Sequence, residues 1–237
     1  MENIEKLKII INTSSNIVFF GGAGVSTGSG LKDFRGKDGL YNEKKSEPVE
    51  YYLSHECFFL EPEVFYNFYK KNMNFLDAKP NSFHYYLAKL ESDGKLKAVI
   101  TQNIDGLHQK AGSKKVLEIH GTIYKNHCLD CDKEYSAEYV FKSNGIPKCE
   151  CGGIIKPDVV LYGESLPDSY LEASRYIEGS ETLIVAGTSL TVEPASSLVR
   201  HFKGTNLVII NKEPTKYDYI ADLVINDDLK NVVDALK

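Results

Sequence analysis

Short β-branched, apolar runs recur along the chain, separated by segments whose apolar residues fall at helical spacing. Ile17–Phe20, Ala98–Ile100, Val116–Ile119, Val159–Leu161, Leu183–Ala186 and Leu207–Ile210 read as buried strands, with Val224–Ile225 as a shorter candidate. Between them Ser82–Ser92, Asp168–Ile177 and Pro194–Phe202 have the spacing of amphipathic helices, with Gly94, Gly179 and Gly204 near their ends. Such alternation predicts an α/β fold built on a doubly wound, mostly parallel sheet. Sheets of this type bind ligands outside the carboxyl ends of their strands.

Two stretches break the alternation. Tyr41–Ala78 is rich in aromatic residues and helical in pattern, as in EPEVFYNFYKKNMNF, and offers no good strand. Tyr124–Lys156 holds four clustered cysteines and little apolar periodicity. Both are expected to be insertions that stand together as a smaller lobe.

Composition narrows the classes. The 237 residues suffice for one large domain or two small ones, and 42% hydrophobic with 26% charged residues is ordinary for a soluble globular chain. A net charge of -5 argues against nonspecific binding to a nucleic-acid backbone. The N-terminal MENIEKLKIIINTSS lacks the long apolar region of a secretory signal. No run approaches the ~18 apolar residues that would span a bilayer. The expected location is therefore cytoplasmic, with neither nucleic acid nor membrane as a partner, and nothing demands more than a monomer.

The first chemistry lies just after the first strand, in FFGGAGVSTGSGLKDFRG. Glycines at 21, 22, 24, 28 and 30 permit positive φ and let backbone N–H groups approach a pyrophosphate. Gly22-x-Gly24-x-x-x-Gly28 is not the usual dinucleotide fingerprint, however. The loop then closes on Asp33-Phe34-Arg35, where an arginine can reach a phosphate or ribose oxygen and a phenylalanine can cover a flat ring.

A second cluster, Gln102-Asn103-Ile104-Asp105, follows the strand Ala98–Ile100. Asn103 or Asp105 alone would serve as a helix cap, but capping does not require three polar side chains together. His120-Gly121 stands in the same relation to Val116–Ile119, which suits a general base as well as a structural histidine. Gly187-Thr188-Ser189, Asn211-Lys212-Glu213 and Asn226-Asp227-Asp228 end three further strands and could hold ribose or adenine. Cys128-x-x-Cys131 and Cys149-x-Cys151 supply four thiols, which suit a tetrahedral structural Zn2+ site with no position left for a catalytic water. The second pair is closer than usual. Cys57, among apolar residues, reads as a core thiol.

These ordered motifs resemble the sirtuins, the NAD-dependent protein-lysine deacylases, and most of all their compact bacterial members. The resemblance extends from Asn16 to the final helix. It rests on Gly22-Ala23-Gly24-Val25-Ser26, Ser29-Gly30, Asp33-Phe34-Arg35-Gly36, Thr101-Gln102-Asn103-Ile104-Asp105, His120-Gly121, the four cysteines, Pro157-Asp158-Val159-Val160-Leu161-Tyr162-Gly163-Glu164 and Gly187-Thr188-Ser189-Leu190. Departures are Leu31-Lys32 in place of Ile-Pro, Gly22 in place of a common Thr, and the shortened second cysteine pair.

The resemblance implies a Rossmann-like NAD-binding domain of residues 1–41, 79–123 and 157–237. It implies a helical insertion of residues 42–78 and a zinc-binding module of residues 124–156, which together make the small lobe. Ala23, Gly24, Thr27, Phe34, Arg35, Gln102, Asn103, Ile104, Asp105, His120, Gly187, Thr188, Ser189, Asn211, Lys212, Glu213 and Asp228 would contact NAD. Asp105 and the Ile104 backbone would take the nicotinamide carboxamide. His120, assisted by Asn103, would be the catalytic base, and Cys128, Cys131, Cys149 and Cys151 would hold one structural zinc. The acyl oxygen of an acylated lysine would attack the nicotinamide ribose, and the products would be nicotinamide, free lysine and 2'-O-acyl-ADP-ribose.

The substrate is expected as an extended strand beside Gly163 and Glu164, with Val160 and Tyr162 lining the acyl-lysine tunnel and Tyr162 replacing a common Phe. Tyr66 and Tyr69 match positions where members that remove acidic acyl groups carry Tyr and Arg, so neutral acyl groups are implied, and Tyr69→Arg would shift the preference. The alternatives are a mono-ADP-ribosyltransferase using the same NAD site, and a zinc-ribbon binding module on an inactive scaffold. A nicotinamide dehydrogenase is disfavoured by the missing fingerprint.

Overall fold

A computed structural model describes residues 2–36, 39–42 and 46–237. Positions 43–45 of the expected helical insertion, and 1, 37 and 38 of the expected large domain, lie outside the described residues. The strands are β1 (Ile17–Gly21), β2 (Leu96–Thr101), β3 (Val116–Glu118), β4 (Gly121–Cys128), β5 (Glu134–Tyr135), β6 (Ile155–Val159), β7 (Thr182–Ala186), β8 (Asn206–Ile210) and β9 (Leu223–Ile225). Six form one parallel sheet in the order β3-β2-β1-β7-β8-β9. The order reverses between β1 and β7, so a crevice opens where their carboxyl ends diverge.

Helices cover both faces of this sheet, which is why its strands read as unbroken apolar runs. Ile17 and Phe19 point into a core shared with helices Glu2–Thr13, Ser82–Ser92 and Leu229–Leu236. Val18 and Phe20 point the other way, toward helix Ser169–Glu178 and the turn Ala195–His201. The segment Pro194–Phe202, expected as an α-helix, adopts 3-10 geometry over Ala195–His201.

The remaining strands make a second sheet, β5-β4-β6, which is antiparallel. The expected strand Val159–Leu161 is therefore displaced: the strand is Ile155–Val159, and it lies in the small sheet rather than in the parallel one. Its side chains alternate between buried and half-buried, as suits a strand with one covered face. This sheet packs with helices Val49–Tyr52, His55–Leu60 and Pro62–Asn72 around a third core, which includes Cys57, Phe58, Phe65, Tyr66 and Tyr69. Cys57 is fully buried there, as expected for a core thiol. The crevice thus has the parallel sheet on one side and an aromatic-cored lobe on the other.

Candidate functional site

The glycine-rich loop leaves β1 as two successive 3-10 turns, Ala23–Val25 and Thr27–Ser29. Of the glycines at 21, 22, 24, 28 and 30, Gly30 alone has a positive φ, of 82°. Gly24 serves a different need, because its N–H donates to the Gly187 carbonyl at 2.8 Å. A Cβ on Gly24 would lie 2.8 Å from both the Cα and the carbonyl oxygen of Gly187. The loops after β1 and β7 therefore meet backbone to backbone at the floor of the crevice. Thr27 turns its hydroxyl back to the Gly24 carbonyl at 3.0 Å.

The loop after β2 is tied to both. Gln102 donates from Nε2 to the Thr188 hydroxyl at 3.0 Å. Ser26 donates to Oδ2 of Asp105 at 2.6 Å and accepts from Nδ2 of Asn103 at 3.1 Å. The Asp105 carboxylate also accepts the Leu107 amide at 2.9 Å, from one position before Gly106, the N-cap of the short helix that follows. Burial pushes its pKa above the usual carboxylate value, while the Ser26 and Leu107 donors oppose that shift. Ile104 packs into the small-lobe core, and its carbonyl accepts the Ile123 amide at 3.1 Å. The loop after β2 is thus tied to the loop after β7 through Gln102 and to the loop after β1 through Asn103 and Asp105.

His120, just beyond β3, sits with Nδ1 3.1 Å from the Gln102 carbonyl. A carbonyl oxygen can only accept, so Nδ1 carries the proton and Nε2 is the basic nitrogen. Burial lowers the His120 pKa below its ordinary 6.5, against the smaller opposing effect of the Gln102 carbonyl. The His120 carbonyl accepts the Val160 amide at 2.9 Å, which places the expected base beside the strand end Val160–Glu164.

That strand end belongs to the small lobe. Tyr162 donates its amide to Leu53 at 3.0 Å and accepts from the His55 amide at 2.9 Å. Glu164 accepts Lys156 Nζ at 3.1 Å and the Leu161 amide at 2.9 Å, and its other oxygen lies 3.2 Å from Nδ1 of His55. Gly163 is exposed with φ 92°. An open cleft lined by Glu164, Leu166, Pro167, Tyr170, Leu171 and Pro194 runs on from it.

Phe34 is half-buried, with its ring centroid 6.0 Å from that of Tyr41. Arg35 is exposed, lies 4.6 Å over the Tyr41 ring and pairs with Glu50 at 3.9 Å. At the far edge Asn211 donates to the Glu213 carbonyl at 2.9 Å, and Lys212 pairs with Asp228 at 2.8 Å. Asp228 also caps the last helix by accepting the Lys230 amide at 2.8 Å, which is a structural use of a residue expected to contact a nucleotide. Ser189 is exposed and bonds Thr191 at 2.8 Å.

Two residues were given no role from the sequence. Ser26 is the hub between Asn103 and Asp105. Asn81 donates to the Val25 carbonyl at 2.8 Å and the Ser29 hydroxyl at 3.1 Å, fastening the glycine-rich loop to helix Ser82–Ser92. Its position one residue before a helix was a capping signal, and its side chain does accept the Phe83 amide at 2.9 Å.

Away from the crevice, Sγ atoms of Cys128, Cys131, Cys149 and Cys151 all lie within 4.8 Å of one another, and none is in a disulfide. Four converging thiols of this kind can hold a metal ion. The close second pair is accommodated by a turn in which Cys149 accepts the Gly152 amide at 2.9 Å. Gly153 leaves room there, since a Cβ on it would lie 2.6 Å from Cys128 Sγ. Tyr135 donates its hydroxyl to Cys149 Sγ at 3.0 Å. Among the described residues no helix is long and apolar enough to cross a membrane.

Residues 22–194 match the model of the Sir2 family. An NAD-dependent protein deacetylase of Clostridium acetobutylicum is 55% identical over 100% of this chain and 98% of its own length. A Sir2 structure with a deacetylated p53 peptide and 3'-O-acetyl ADP ribose superposes with a TM-score of 0.91 at 39% identity, over 99% of this chain and 97% of that one. A Sir2 structure with a p53 peptide and NAD+ gives 0.86 at 40%, over 98% and 95%.

Proposed function

The chain belongs to the Sir2 family, and from that membership we propose how its residues serve an NAD-dependent protein-lysine deacylase. NAD and one water supply the reacting groups: nicotinamide would leave as the acyl oxygen bonds the ribose, the ribose 2'-oxygen would take the acyl carbon, and water would complete release of the amine, giving 2'-O-acyl-ADP-ribose and free lysine. Everything else falls to the protein.

The observation that carries the assignment is the contact between His120 Nδ1 and the Gln102 carbonyl. The His120 Nδ1–H is held by that carbonyl at 3.1 Å, so Nε2 is available to take a ribose hydroxyl proton. The lowered pKa keeps that nitrogen unprotonated at neutral pH. Asn103 and Gln102, fixed by Ser26 and Thr188, would orient the ribose. Asp105 would accept from the nicotinamide amide, with Ser26 holding its carboxylate in place. Ala23, Thr188 and Ser189 would offer backbone donors to the pyrophosphate, while Gly24 and Gly187, whose N–H groups bond the Gly187 and Ile210 carbonyls, would let it approach the backbone closely. Phe34 and Arg35 would cover the nicotinamide ribose, and Asn211, Lys212, Glu213 and Asp228 would stand around the adenosine.

An acylated lysine would enter between Val160 and Tyr162, its peptide extended along Gly163 and Glu164. The exposed backbone of Gly163 and the cleft beyond it support that path. Main-chain pairing of this kind gives affinity with little sequence preference. The cysteine cluster fits one zinc: all four donors are thiols, and their mutual approach suits tetrahedral ligation with no open position, so the ion would be structural. The boundaries 1–41, 79–123 and 157–237 for the NAD-binding domain, 42–78 for the helical insertion and 124–156 for the zinc module belong to the same proposal, except that residues 121–123 and 157–164 go with the small lobe, whose sheet and core they join.

Free nicotinamide, measured with and without an acetyl-lysine peptide, tests the assignment. Release that requires the peptide and matches free lysine one to one is expected. Release without peptide, with ADP-ribose on a protein acceptor, would make it a ribosyltransferase, and no release would leave a binding module.

A further inference from the structure

Tyr41 and Tyr162 are 121 positions apart, yet their hydroxyls lie 2.7 Å from each other. Each side of this contact is anchored independently. Tyr41 follows the Asp33-Phe34-Arg35 cluster and folds back on it: its amide donates to the Phe34 carbonyl at 2.9 Å, and the Leu40 amide donates to Asp33 at 3.0 Å. Its ring lies beside Phe34 and under the Arg35 guanidinium. Tyr162 is held by its own backbone bonds to Leu53 and His55, in the strand end that faces the acyl-lysine path. The hydroxyl pair is therefore a direct tie between the segment assigned to NAD and the segment assigned to the acylated peptide.

Both phenols are half-buried, and burial together with Tyr162 pushes the Tyr41 hydroxyl well above its ordinary pKa. The Tyr41 hydroxyl therefore keeps its proton for this contact throughout the physiological range. A tyrosine at 162 is needed for it, because a phenylalanine there would line the same path without a hydroxyl and leave the Tyr41 hydroxyl without this partner. A half-buried hydroxyl deprived of its partner costs the folded arrangement something. That cost falls on the arrangement of Phe34, Arg35 and Tyr41 that the contact holds.

We infer that Tyr162 is a positioning residue for NAD: through its hydroxyl it fixes Tyr41, and through Tyr41 it sets the arrangement of Phe34 and Arg35, so that the acyl-lysine side of the crevice determines affinity for the dinucleotide. The inference rests on the deacylase reading for the identity of the two ligands.

The test is a double-substitution cycle on the full chain, with Tyr162→Phe, Tyr41→Phe and the two combined. NAD affinity is measured by titration calorimetry without peptide, beside steady-state kinetics on an acetyl-lysine peptide. Each single substitution should weaken NAD binding about three- to ten-fold, the range of one neutral hydrogen bond. The combined variant should be no weaker than either, because both remove the same bond. In turnover the loss should fall on KM for NAD more than on kcat. Tyr162→Phe with unchanged NAD affinity, or losses that add in the combined variant, would overturn the inference. So would a lower melting temperature with unchanged NAD affinity, which marks a purely structural contact. Failure of the unsubstituted chain to bind NAD would instead overturn the functional reading, and the inference with it.

Discussion

The backbone carbonyl of Gln102 holds Nδ1 of His120 at 3.1 Å, so the residue proposed to orient the ribose also sets the tautomer of the proposed base. Burial lowers the His120 pKa from 6.5, and a base works only when unprotonated. The acid limb of kcat/KM, which reports the free enzyme, should therefore have its midpoint below pH 6.5. A midpoint above pH 7 would show that another group titrates. His120→Tyr should fold and bind NAD yet lose at least the ~10²-fold expected for a general base; turnover near that of the unsubstituted chain would remove His120 from the chemistry.

Ser26 touches no reacting atom in this scheme, but it holds Asp105 at 2.6 Å. Ser26→Ala removes a donor that opposes the burial-driven rise of the Asp105 pKa. Hydrogen bonds to charged groups contribute about 1.5–3 kcal/mol, so weaker nicotinamide inhibition and a KM for NAD raised roughly tenfold or more are expected. Unchanged values for both, in a stably folded variant, would show that Asp105 is held in place without Ser26.

Cys128 and Cys149 sit inside the small-lobe core, so metal binding and folding of that lobe are linked. Elemental analysis should find one zinc per chain. A strong chelator should lower the melting temperature, and Cys128→Ala or Cys151→Ala should reduce soluble yield. Metal-free protein of full thermal stability would contradict the assignment.

His84 and His108 are buried against each other with ring centroids 4.7 Å apart. The Asn81 backbone amide donates to His84 Nδ1, whereas His84 Nε2 and both nitrogens of His108 have no hydrogen-bond partner among the described residues. Burial lowers their pKa values to about 4 and about 3. The unfolded chain takes up these protons near pH 6.5 and the folded chain does not. Stability should thus be full above pH 6.5 and fall toward pH 4 by roughly 1.4 kcal/mol per unit for each residue. Urea midpoints at pH 7, 6 and 5 measure the slope, and His108→Phe should make it shallower. A flat profile would mean that the folded chain binds these protons.

The acyl preference expected from Tyr66 and Tyr69 stands as a prediction, while the packing of Tyr69 argues against Tyr69→Arg as a redesign. Tyr69 is fully buried, stacked between Phe65 at 5.4 Å and Phe141 at 5.4 Å, and Tyr66 donates to the Ile155 carbonyl. Lys70 donates to the Ser143 carbonyl and hydroxyl and to the Gly145 carbonyl, at 2.7, 2.8 and 2.6 Å. Tyr66, Tyr69 and Lys70 are thus all committed to the lobe, and none of them is placed to pair with an acyl carboxylate. Acetyl-lysine should exceed succinyl-lysine at least tenfold in kcat/KM, and the reverse order would refute this. Tyr69→Arg should lower the melting temperature rather than convert specificity, since it would bury a guanidinium among aromatic rings.

The central sheet was legible because Ile17–Phe20, Leu183–Ala186 and Leu207–Ile210 are covered on both faces and so leave unbroken apolar runs. Val159–Leu161 gave the same signal for a different reason: Val159 ends a small-lobe strand, and Leu161 packs into the aromatic core beyond it. Helix Glu2–Thr13 passed unnoticed because only Leu7 and Ile11 are buried in it, amid charged positions. Motif residues such as Gln102, Asp105 and His120 were visible as polar side chains at strand ends. Ser26 and Asn81 were not seen as site residues, since small polar residues show their importance only through partners distant in sequence. The Tyr41–Tyr162 contact was invisible for the same reason.

The meeting of Gly24 with Gly187 limits how this crevice can diverge. A Cβ on Gly24 would strike Gly187 at 2.8 Å, and one on Gly187 would lie 2.5 Å from the Val25 nitrogen and 2.7 Å from the Gly24 carbonyl carbon. Backbone faces backbone in both directions, so no second substitution at the partner glycine can relieve the first. The two positions form one mutational dead end. New shapes at this mouth are reachable through insertions or deletions that re-space the loops, and not through stepwise exchange of side chains.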